Sequence, residues 1–360
     1  MTTILALGAD IKTGPLISGR GGFIQGPDTG DLADAANFNA FRKSVNRLIR
    51  TSRTVPQVIA CDLHPGYFSS GLAAELCRGI KGSRLLRVQH HHAHIASVMW
   101  ERGVRGPVIG VSFDGTGYGA DGNMWGGEFL IVDGTGFRRA AHLKYRMMPG
   151  GDIVVREPWR MALSFLGEKG ACLLEGVKAA EIKAVLSMMA RGVNSPLSSS
   201  AGRMFDAAAA LTGVCGRASY EAEGPIRLEA LREEGGRGAY DFGISRSGDC
   251  YIIDTDGIFR GIAGDVKKGV SPGRISAKFH NSAVAIIIGA AGRIRKRFGV
   301  KNAVLSGGVF QNKFLMSGTV KKLGKAGFKV YANRDLPAND LNIAAGQFFV
   351  AQNLLRKKKI

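Results

Sequence analysis

Short apolar runs alternate with longer stretches in which apolar side chains recur every three or four positions. The short runs predict buried strands, and the longer stretches predict helices with one apolar face. Such an alternation is typical of α/β proteins. Strands are predicted at 4–7, 57–62, 84–88, 107–113, 124–132, 303–306 and 328–332, and helices at 38–51, 65–78, 91–101, 157–166, 203–211, 272–297 and 342–355.

One pattern occurs twice, in ILALGADIKTG and in VIGVSFDGTGYG. In each copy an apolar strand ends in an acidic residue and runs into a glycine-rich turn. The repetition indicates a duplicated lobe with a cleft between the copies, and a length of 360 residues allows two core-bearing units. We predict a first lobe at 1–140, a second lobe at 141–335, and a C-terminal helix at 336–360 that packs back on the first lobe.

The charge is strongly positive and unevenly distributed. Lysine and arginine number 49 against 29 acidic residues, and residues 266–360 hold 19 basic residues against two acidic ones, Asp335 and Asp340. A field of this sign attracts a polyanion or an acidic protein. The alternative interpretation is a solvated helix face with a basic tail at 356–359. Because no aromatic residues are interleaved for base stacking, nucleic acid stays open as a partner but is not favoured.

The five cysteines are scattered and form no CxxC pair, which argues against a disulfide framework and against a cysteine zinc site. The N-terminus lacks the pattern of a signal peptide. The longest apolar run, 283–292, is shorter than the ~20 residues of a membrane span. We expect a cytoplasmic protein without a membrane association.

Four of the seven histidines fall within the segment QHHHAH, residues 89–94. If a helix begins here, His90 and His94 project from one face, at the spacing of two imidazoles on one metal ion. His91 and His92 point elsewhere, and we interpret them as groups that support the ligands or face a substrate. Clustering of this kind favours a metal-binding or catalytic function over simple packing.

Two histidines need further ligands, and carboxylates are the natural supply. Asp114 begins DGTGYG after a strand, and Asp340 lies in the turn PAND. A set of two histidines and two carboxylates suits iron or zinc, and also manganese or magnesium. Taken alone, either aspartate is equally typical of a turn or a helix cap.

Glycine-rich turns follow apolar runs at 8–14, 114–119 and 306–308. Their backbone N–H groups could bind phosphates, which favours a nucleotide held across a cleft. Asp206 in SAGRMFD and Glu221 in YEAEGP are candidate contacts to a ribose or a metal, and Asp206 alternatively caps a helix. Arg156 in REPWRMA suits a substrate carboxylate or phosphate, with a salt bridge as the alternative.

The strings DLHPGY, QHHHAHIA, VSFDGTGYGADGNMWGGEF, MPGGD, REPWRMAL, GRMFDA, KFHN and SGGVFQN together resemble the C-terminal part of the HypF-type hydrogenase maturation carbamoyltransferases. The resemblance runs nearly end to end. It implies the two-lobed actin/Hsp70/sugar-kinase fold (ASKHA, RNase H-like) with a nucleotide and metal cleft between the lobes. It also implies transfer of a carbamoyl group from carbamoyl-adenylate to the C-terminal cysteine thiolate of a HypE-like acceptor protein.

The resemblance further implies the roles of particular residues. His90, His94, Asp114 and Asp340 would hold iron or zinc. Catalytic candidates are His91, His92 and Arg156. The phosphates and adenosine of ATP or carbamoyl-adenylate would lie along Gly117, Ser306, Gly307, Gly308 and Asn312, with Asp206 and Glu221 near the ribose.

The family's other domains have no counterpart in this sequence, so we expect a separate YrdC-like protein to supply the adenylate. The alternatives are a carbamoyltransferase with a small-molecule hydroxyl or tRNA as acceptor, and a non-catalytic nucleotide- and metal-binding paralogue.

Overall fold

The computed structural model describes residues 2–19 and 22–358. Lys359, in the predicted basic tail, lies outside this range. The strands are β1 Ile4–Ala6, β2 Leu16–Gly19, β3 Gly22–Gln25, β4 Val58–Asp62, β5 Arg84–Val88, β6 Val108–Tyr118, β7 Met124–Val132, β8 Phe137–Leu143, β9 Arg146–Met147, β10 Leu197–Ser198, β11 Gly243–Ser247, β12 Cys250–Asp254, β13 Asn302–Ser306 and β14 Lys329–Ala332.

Helices connect and cover these strands. They are α1 Ala35–Ser52, α2 Phe68–Gly79, α3 His90–Glu101, α4 Trp159–Leu166, α5 Glu168–Ala171, α6 Ala179–Arg191, α7 Ala201–Leu211, α8 Glu223–Ala230, α9 Asp256–Lys267, α10 Pro272–Phe298, α11 Lys313–Lys325 and α12 Ile343–Arg356. Short 3₁₀ helices span Gly151–Val155, Gly308–Gln311 and Asp340–Asn342. Within the described residues no helix combines the length and apolar character needed to cross a membrane.

The strands form two sheets that share one topology. The first has the order β3-β2-β1-β4-β5, and the second contains the corresponding order β8-β7-β6-β13-β14, extended by β12 and β11 beside β8. In each sheet a meander of three antiparallel strands is followed by two strands parallel to its first strand. The repeated strand-and-turn pattern of the sequence therefore corresponds to a repeated unit of the fold.

The chain changes sheets between β5 and β6, so β6 and β7 belong to the second sheet. The lobe boundary predicted at residue 140 lies after this change, because the sequence does not show with which partners β6 will pair. Separate apolar clusters pack on the two sheets. The division of the chain into lobes stays a prediction.

Helices α3 and α12 pack against each other between the two sheets. Helix α12 contacts β1 and β4 of the first sheet, and α3 contacts β6, β7 and β13 of the second. The two helices approach so closely that a Cβ atom at Gly346 would lie 1.8 Å from the carbonyl oxygen of Ala93. This contact fixes α3, which begins with the histidine segment, relative to both sheets.

Candidate metal centre and adjoining cavity

Helix α3 brings two histidines of the QHHHAH segment to one point. The Gln89 side chain caps the helix by accepting a hydrogen bond from the backbone N–H of His92, at 2.9 Å. His90 and His94 are then one turn apart, and both are fully buried. Their Nε2 atoms lie 3.2 Å and 3.3 Å from the same Oδ2 atom of Asp114.

Two carboxylates from distant parts of the chain complete the cluster. Asp114 is carried by β6, and Asp340 begins the 3₁₀ helix that precedes α12. Oδ1 of Asp340 lies 3.6 Å from Nε2 of each histidine. One donor atom from each of the four residues lies within 4.8 Å of all the others. The structure thus brings together the four residues that the sequence singled out, and their role as metal ligands stays a prediction.

Nδ1 of His90 and Nδ1 of His94 each contact a buried polar side chain. Nδ1 of His90 lies 2.8 Å from Oδ2 of Asp62, and Nδ1 of His94 lies 2.9 Å from Oδ1 of Asn342. These contacts favour a proton on Nδ1 and direct Nε2 toward the carboxylates. Nε2–H donates to them when the histidine is protonated, and its lone pair is available when a metal ion takes the place of that proton. Neither partner was predicted from the sequence, although Asp62 ends an apolar strand.

The electrostatics of the cluster favour bound positive charge. Burial lowers the pKa of His90, but Asp340 and Asp62 outweigh this effect and raise it well above its usual value. Burial raises the pKa of Asp114, but the hydrogen bonds with His90 and His94 hold it well below its usual range. Without a metal ion, protons on the histidines would balance the carboxylates. A divalent cation can take their place, because two imidazole nitrogens and two carboxylate oxygens are a suitable donor set for iron or zinc.

Beside this cluster lies a cavity of about 390 Å³. This volume lies within the range of small-molecule sites. Asp114 and Asp340 line it, so the cluster opens into the cavity through its two carboxylates. Tyr67, from the segment before α2, lines the same wall, and burial strongly raises the pKa of its hydroxyl, which therefore stays a hydrogen-bond donor.

Two cationic side chains line the cavity, and neither belongs to the predicted site residues. Lys12, from the turn after β1, pairs across the cavity mouth with Glu221, with 2.8 Å between Nζ and Oε2. Arg203, near the start of α7, is buried and lies 3.0 Å from Asp206 through Nε, while its Nη1 has no hydrogen-bond partner among the described residues. The two side chains give the cavity wall positive charge, which favours an anionic ligand.

Of the residues predicted to contact the phosphates and adenosine, some line the cavity and others lie behind its wall. Gly308 and Asn312 line the cavity. The Gly308 N–H donates to Oδ1 of Asp114 at 3.0 Å. Ser306 instead accepts from Nδ2 of Asn342 at 3.1 Å, behind His94. Gly307, with φ at 102°, packs where a Cβ atom would lie 2.3 Å from the carbonyl oxygen of Phe113.

Three further candidates also lie outside the cavity wall. Gly117 lies under the histidine rings, where a Cβ atom would come within 2.9 Å of His90. Arg156 is exposed and donates to the carbonyl oxygen of Ser219. Asp206 is buried on α7 beside Arg203. The structure does not bring these residues to the cavity, and their predicted roles remain untested.

The two remaining histidines of the segment are buried away from the carboxylates. Nδ1 of His91 lies 2.9 Å from the Gln89 amide, and burial lowers the pKa of this histidine to about 3. The ring of His92 packs 5.3 Å from that of Phe137, and burial lowers the pKa of His92 to about 4. Both are therefore neutral at ordinary pH, and neither lines the cavity.

Comparison with known proteins places the chain in a family. Residues 110–347 match the family model described as carbamoyltransferase, Kae1-like domain, second subdomain, and residues 1–101 match the HypF Kae1-like domain. The chain belongs to the HypF carbamoyltransferase family. This membership confirms the predicted resemblance and the predicted enzyme class, carbamoyltransferase.

Relatives differ in how much of their length this chain covers. It is 36% identical to the carbamoyltransferase HypF homolog of Cupriavidus necator, over 97% of this chain and 91% of the relative. It is 38% identical to HypF2 of the same organism, over 97% of this chain but 46% of the relative. The chain thus spans about half the length of most of its curated HypF relatives.

Solved structures of HypF share the fold. A crystal structure of full-length HypF in its phosphate- and nucleotide-bound form superposes with a TM-score of 0.93 at 38% identity, covering 98% of this chain and 56% of that protein. HypF of T. kodakarensis gives a TM-score of 0.87 at 29% identity, covering 99% of this chain and 48% of that protein. These superpositions confirm the predicted α/β fold class.

Proposed function

We propose that this chain transfers a carbamoyl group from carbamoyl-adenylate to the C-terminal cysteine of a HypE-like protein during hydrogenase maturation. The observation that carries the proposal is the opening of the histidine–aspartate cluster into the cavity through Asp114 and Asp340. An acyl-phosphate ligand in the cavity would lie beside a cation site on one wall. The full-length HypF that superposes on this chain was solved with phosphate and nucleotide bound, which supports the same kind of ligand here.

The reaction needs an activated carbamoyl carbon and a stabilised leaving group. The acceptor sulfur, as thiolate, attacks the carbamoyl carbon, the bond from that carbon to the phosphate oxygen breaks, and AMP leaves. Lys12 and Arg203 are placed to bind the negative charge of the phosphate. Iron or zinc held by His90, His94, Asp114 and Asp340 would supply Lewis-acid stabilisation of that charge. Tyr67 donates a hydrogen bond from the same wall.

The test supplies each component separately. Purified chain is mixed with carbamoyl-adenylate, or with carbamoyl phosphate, ATP and a YrdC-like protein, together with HypE from the same organism. Mass spectrometry of the acceptor is expected to show one added carbamoyl group on the C-terminal cysteine. His90→Ala and His94→Ala are expected to abolish both metal retention and transfer while the chain stays folded. An unmodified acceptor in the presence of metal-loaded wild-type chain and carbamoyl-adenylate would refute the proposal.

A further inference from the structure

The exposed face of α11 is basic and contains no carboxylate. Leu315, Thr319 and Leu323 bury the opposite face of the helix. Lys313, Lys321 and Lys325 are all exposed, and at 3.6 residues per turn they spread over about 120° of the helix surface. With a rise of about 1.5 Å per residue, they span about 18 Å along the helix axis. We call Lys313, Lys321, Lys322, Lys325 and Lys329 the α11 ridge.

The ridge extends onto the adjacent sheet edge. Lys329 begins β14, the edge strand of the second sheet, and its backbone N–H donates to the carbonyl oxygen of Lys301 at 3.1 Å. The sequence holds no aspartate or glutamate between Asp265 and Asp335. Among the described residues no carboxylate forms an ion pair with any ridge lysine. The positive charge of the ridge is therefore not compensated by an ion pair within residues 2–19 and 22–358.

The ridge begins at the cavity. Asn312 lines the cavity and caps α11 by accepting a hydrogen bond from the backbone N–H of Leu315, at 2.7 Å. Lys313 follows it directly and is exposed. A macromolecule that lies along α11 therefore reaches the cavity mouth at one end of its contact surface.

The chemistry of the ridge fits a protein better than a nucleic acid. No exposed aromatic side chain lies among the ridge lysines to stack on nucleic-acid bases. The neighbouring arginines are already engaged: Arg295 donates to the carbonyl oxygen of Ala326 at 2.6 Å, and Arg297 pairs with Asp249 at 2.6 Å. Val320 is 39% exposed between the lysines and offers an apolar contact.

We infer that the α11 ridge docks an acidic face of the protein that accepts the carbamoyl group. This inference rests on the proposed function, because it takes the acceptor to be a protein. Complementary charge on the two surfaces would accelerate the encounter and orient the acceptor with its reactive end toward the cavity. Lysine contacts of this kind act mainly on the association rate. The rate of association with the acceptor is therefore the quantity to measure.

The experiment compares two triple variants of equal charge. Lys313→Glu/Lys321→Glu/Lys325→Glu reverses the ridge, and Lys43→Glu/Lys81→Glu/Lys183→Glu reverses three exposed lysines elsewhere. Association with HypE is followed by biolayer interferometry at about 0.05 M and about 0.5 M NaCl. We expect the ridge variant to associate at least about tenfold more slowly than the control variant at low salt, with the difference removed at high salt. Affinity for ATP should be equal in both.

Equal association rates for the two variants would overturn the inference, as would loss of tRNA binding in the ridge variant with unchanged HypE association. If the glutamates unfold the chain, the corresponding Lys→Gln triple gives the same comparison with a smaller expected slowing of about threefold. Carbamoylation of HypE is measured by mass spectrometry in the same samples. If HypE is carbamoylated but associates equally fast with both variants, only the docking surface is refuted. If the wild-type chain neither binds nor carbamoylates HypE, the proposed function is refuted as well.

Discussion

Oδ2 of Asp62 lies 2.8 Å from Nδ1 of His90, and neither side chain is exposed to solvent. The carboxylate accepts a hydrogen bond from Nδ1–H, and the opposite nitrogen, Nε2, faces Asp114. His94 has a neutral partner at the same position, the amide oxygen of Asn342. The two imidazoles of the cluster are therefore oriented alike, but only His90 has a negative charge beside its Nδ1.

The first prediction concerns this charge. Asp62→Asn keeps a hydrogen-bond acceptor of the same shape but removes the negative charge, and we expect metal affinity to fall by about 10- to 100-fold. Competition with a chelating indicator, followed by elemental analysis, measures the affinity. Asp28→Asn, an exposed aspartate far from the cluster, serves as the control. Equal metal affinities of the two variants would show that Asp62 does not tune the site.

Glu101, at the end of α3, holds the segment that leads to Asp340. Its carboxylate accepts hydrogen bonds from the backbone N–H groups of Arg334 at 3.0 Å and Leu336 at 3.1 Å, and from the side chain of Asn333 at 3.2 Å. The same helix thus carries the two histidines and fixes the position of one of their carboxylate neighbours.

The second prediction follows from this anchor. Glu101→Gln replaces one acceptor oxygen by an N–H₂ group that repels the backbone donors, so we expect faster amide hydrogen exchange at residues 334–336 and weaker metal retention. Burial raises the pKa of Glu101, but the backbone N–H groups outweigh it and lower the pKa. The stability that the Glu101 hydrogen bonds provide is therefore present above the pKa of Glu101 in the unfolded chain. It is lost as the pH falls through the lower pKa of Glu101 in the folded protein. Unchanged exchange at neutral pH would contradict the anchoring role.

The sequence predicted seven strands and most long helices, but it missed the interior strands β2, β8 and β12 as well as strands at the sheet edges. The strand at 84–88 is found as predicted, and the helix predicted at 272–297 spans Pro272–Phe298. Edge strands β3 and β11 are largely exposed and lack an apolar run. Helix α9 was missed because it contains three glycines, two of which, Gly257 and Gly261, pack against residues 240–241.

In the candidate site, residues with distinctive chemistry could be predicted, whereas their supporting contacts could not. His90 and His94 share a local spacing, and Asp114 follows an apolar run. Asn342 is 248 residues from His94, so no local pattern connects the two. Ser306 illustrates the reverse case: its glycine-rich turn suggested a phosphate contact, but its hydroxyl is engaged with Asn342 and Asn333.

The third prediction tests the contact between α3 and α12. Gly346→Ala places a Cβ atom 1.8 Å from the Ala93 carbonyl oxygen, which forces the helices apart. We expect a loss of about 1–3 kcal/mol in the free energy of unfolding, together with weaker metal retention, because α3 moves. Chemical denaturation measures the first quantity. Gly292→Ala is the matched control: no atom lies within 4 Å of its Cβ position on α10, and alanine there should stabilise by up to about 1 kcal/mol.

The fourth prediction concerns pH. Burial raises the pKa of Asp206 to about 6, and the opposing effect of Arg203 is smaller. Because the pKa of Asp206 is higher in the folded than in the unfolded state, the folded state binds the proton more tightly. The stability that this protonation provides is present below pH ~4 and is lost as the pH rises through ~6. A gap of about two pKa units corresponds to about 3 kcal/mol. We expect the wild-type free energy of unfolding to fall by this amount, relative to Asp206→Asn, between pH ~4 and ~7.

Subtracting the free energy of unfolding of Asp206→Asn from that of the wild type at each pH isolates the effect of the Asp206 carboxyl. The Asp206→Asn substitution would leave Arg203 without a counter-ion, but arginine keeps its charge throughout this range, so that cost shifts the whole curve and does not change its slope. A flat difference between wild type and Asp206→Asn would mean that the Asp206 carboxyl ionises in the folded protein as it does in the unfolded chain, and that Arg203 fully offsets its burial.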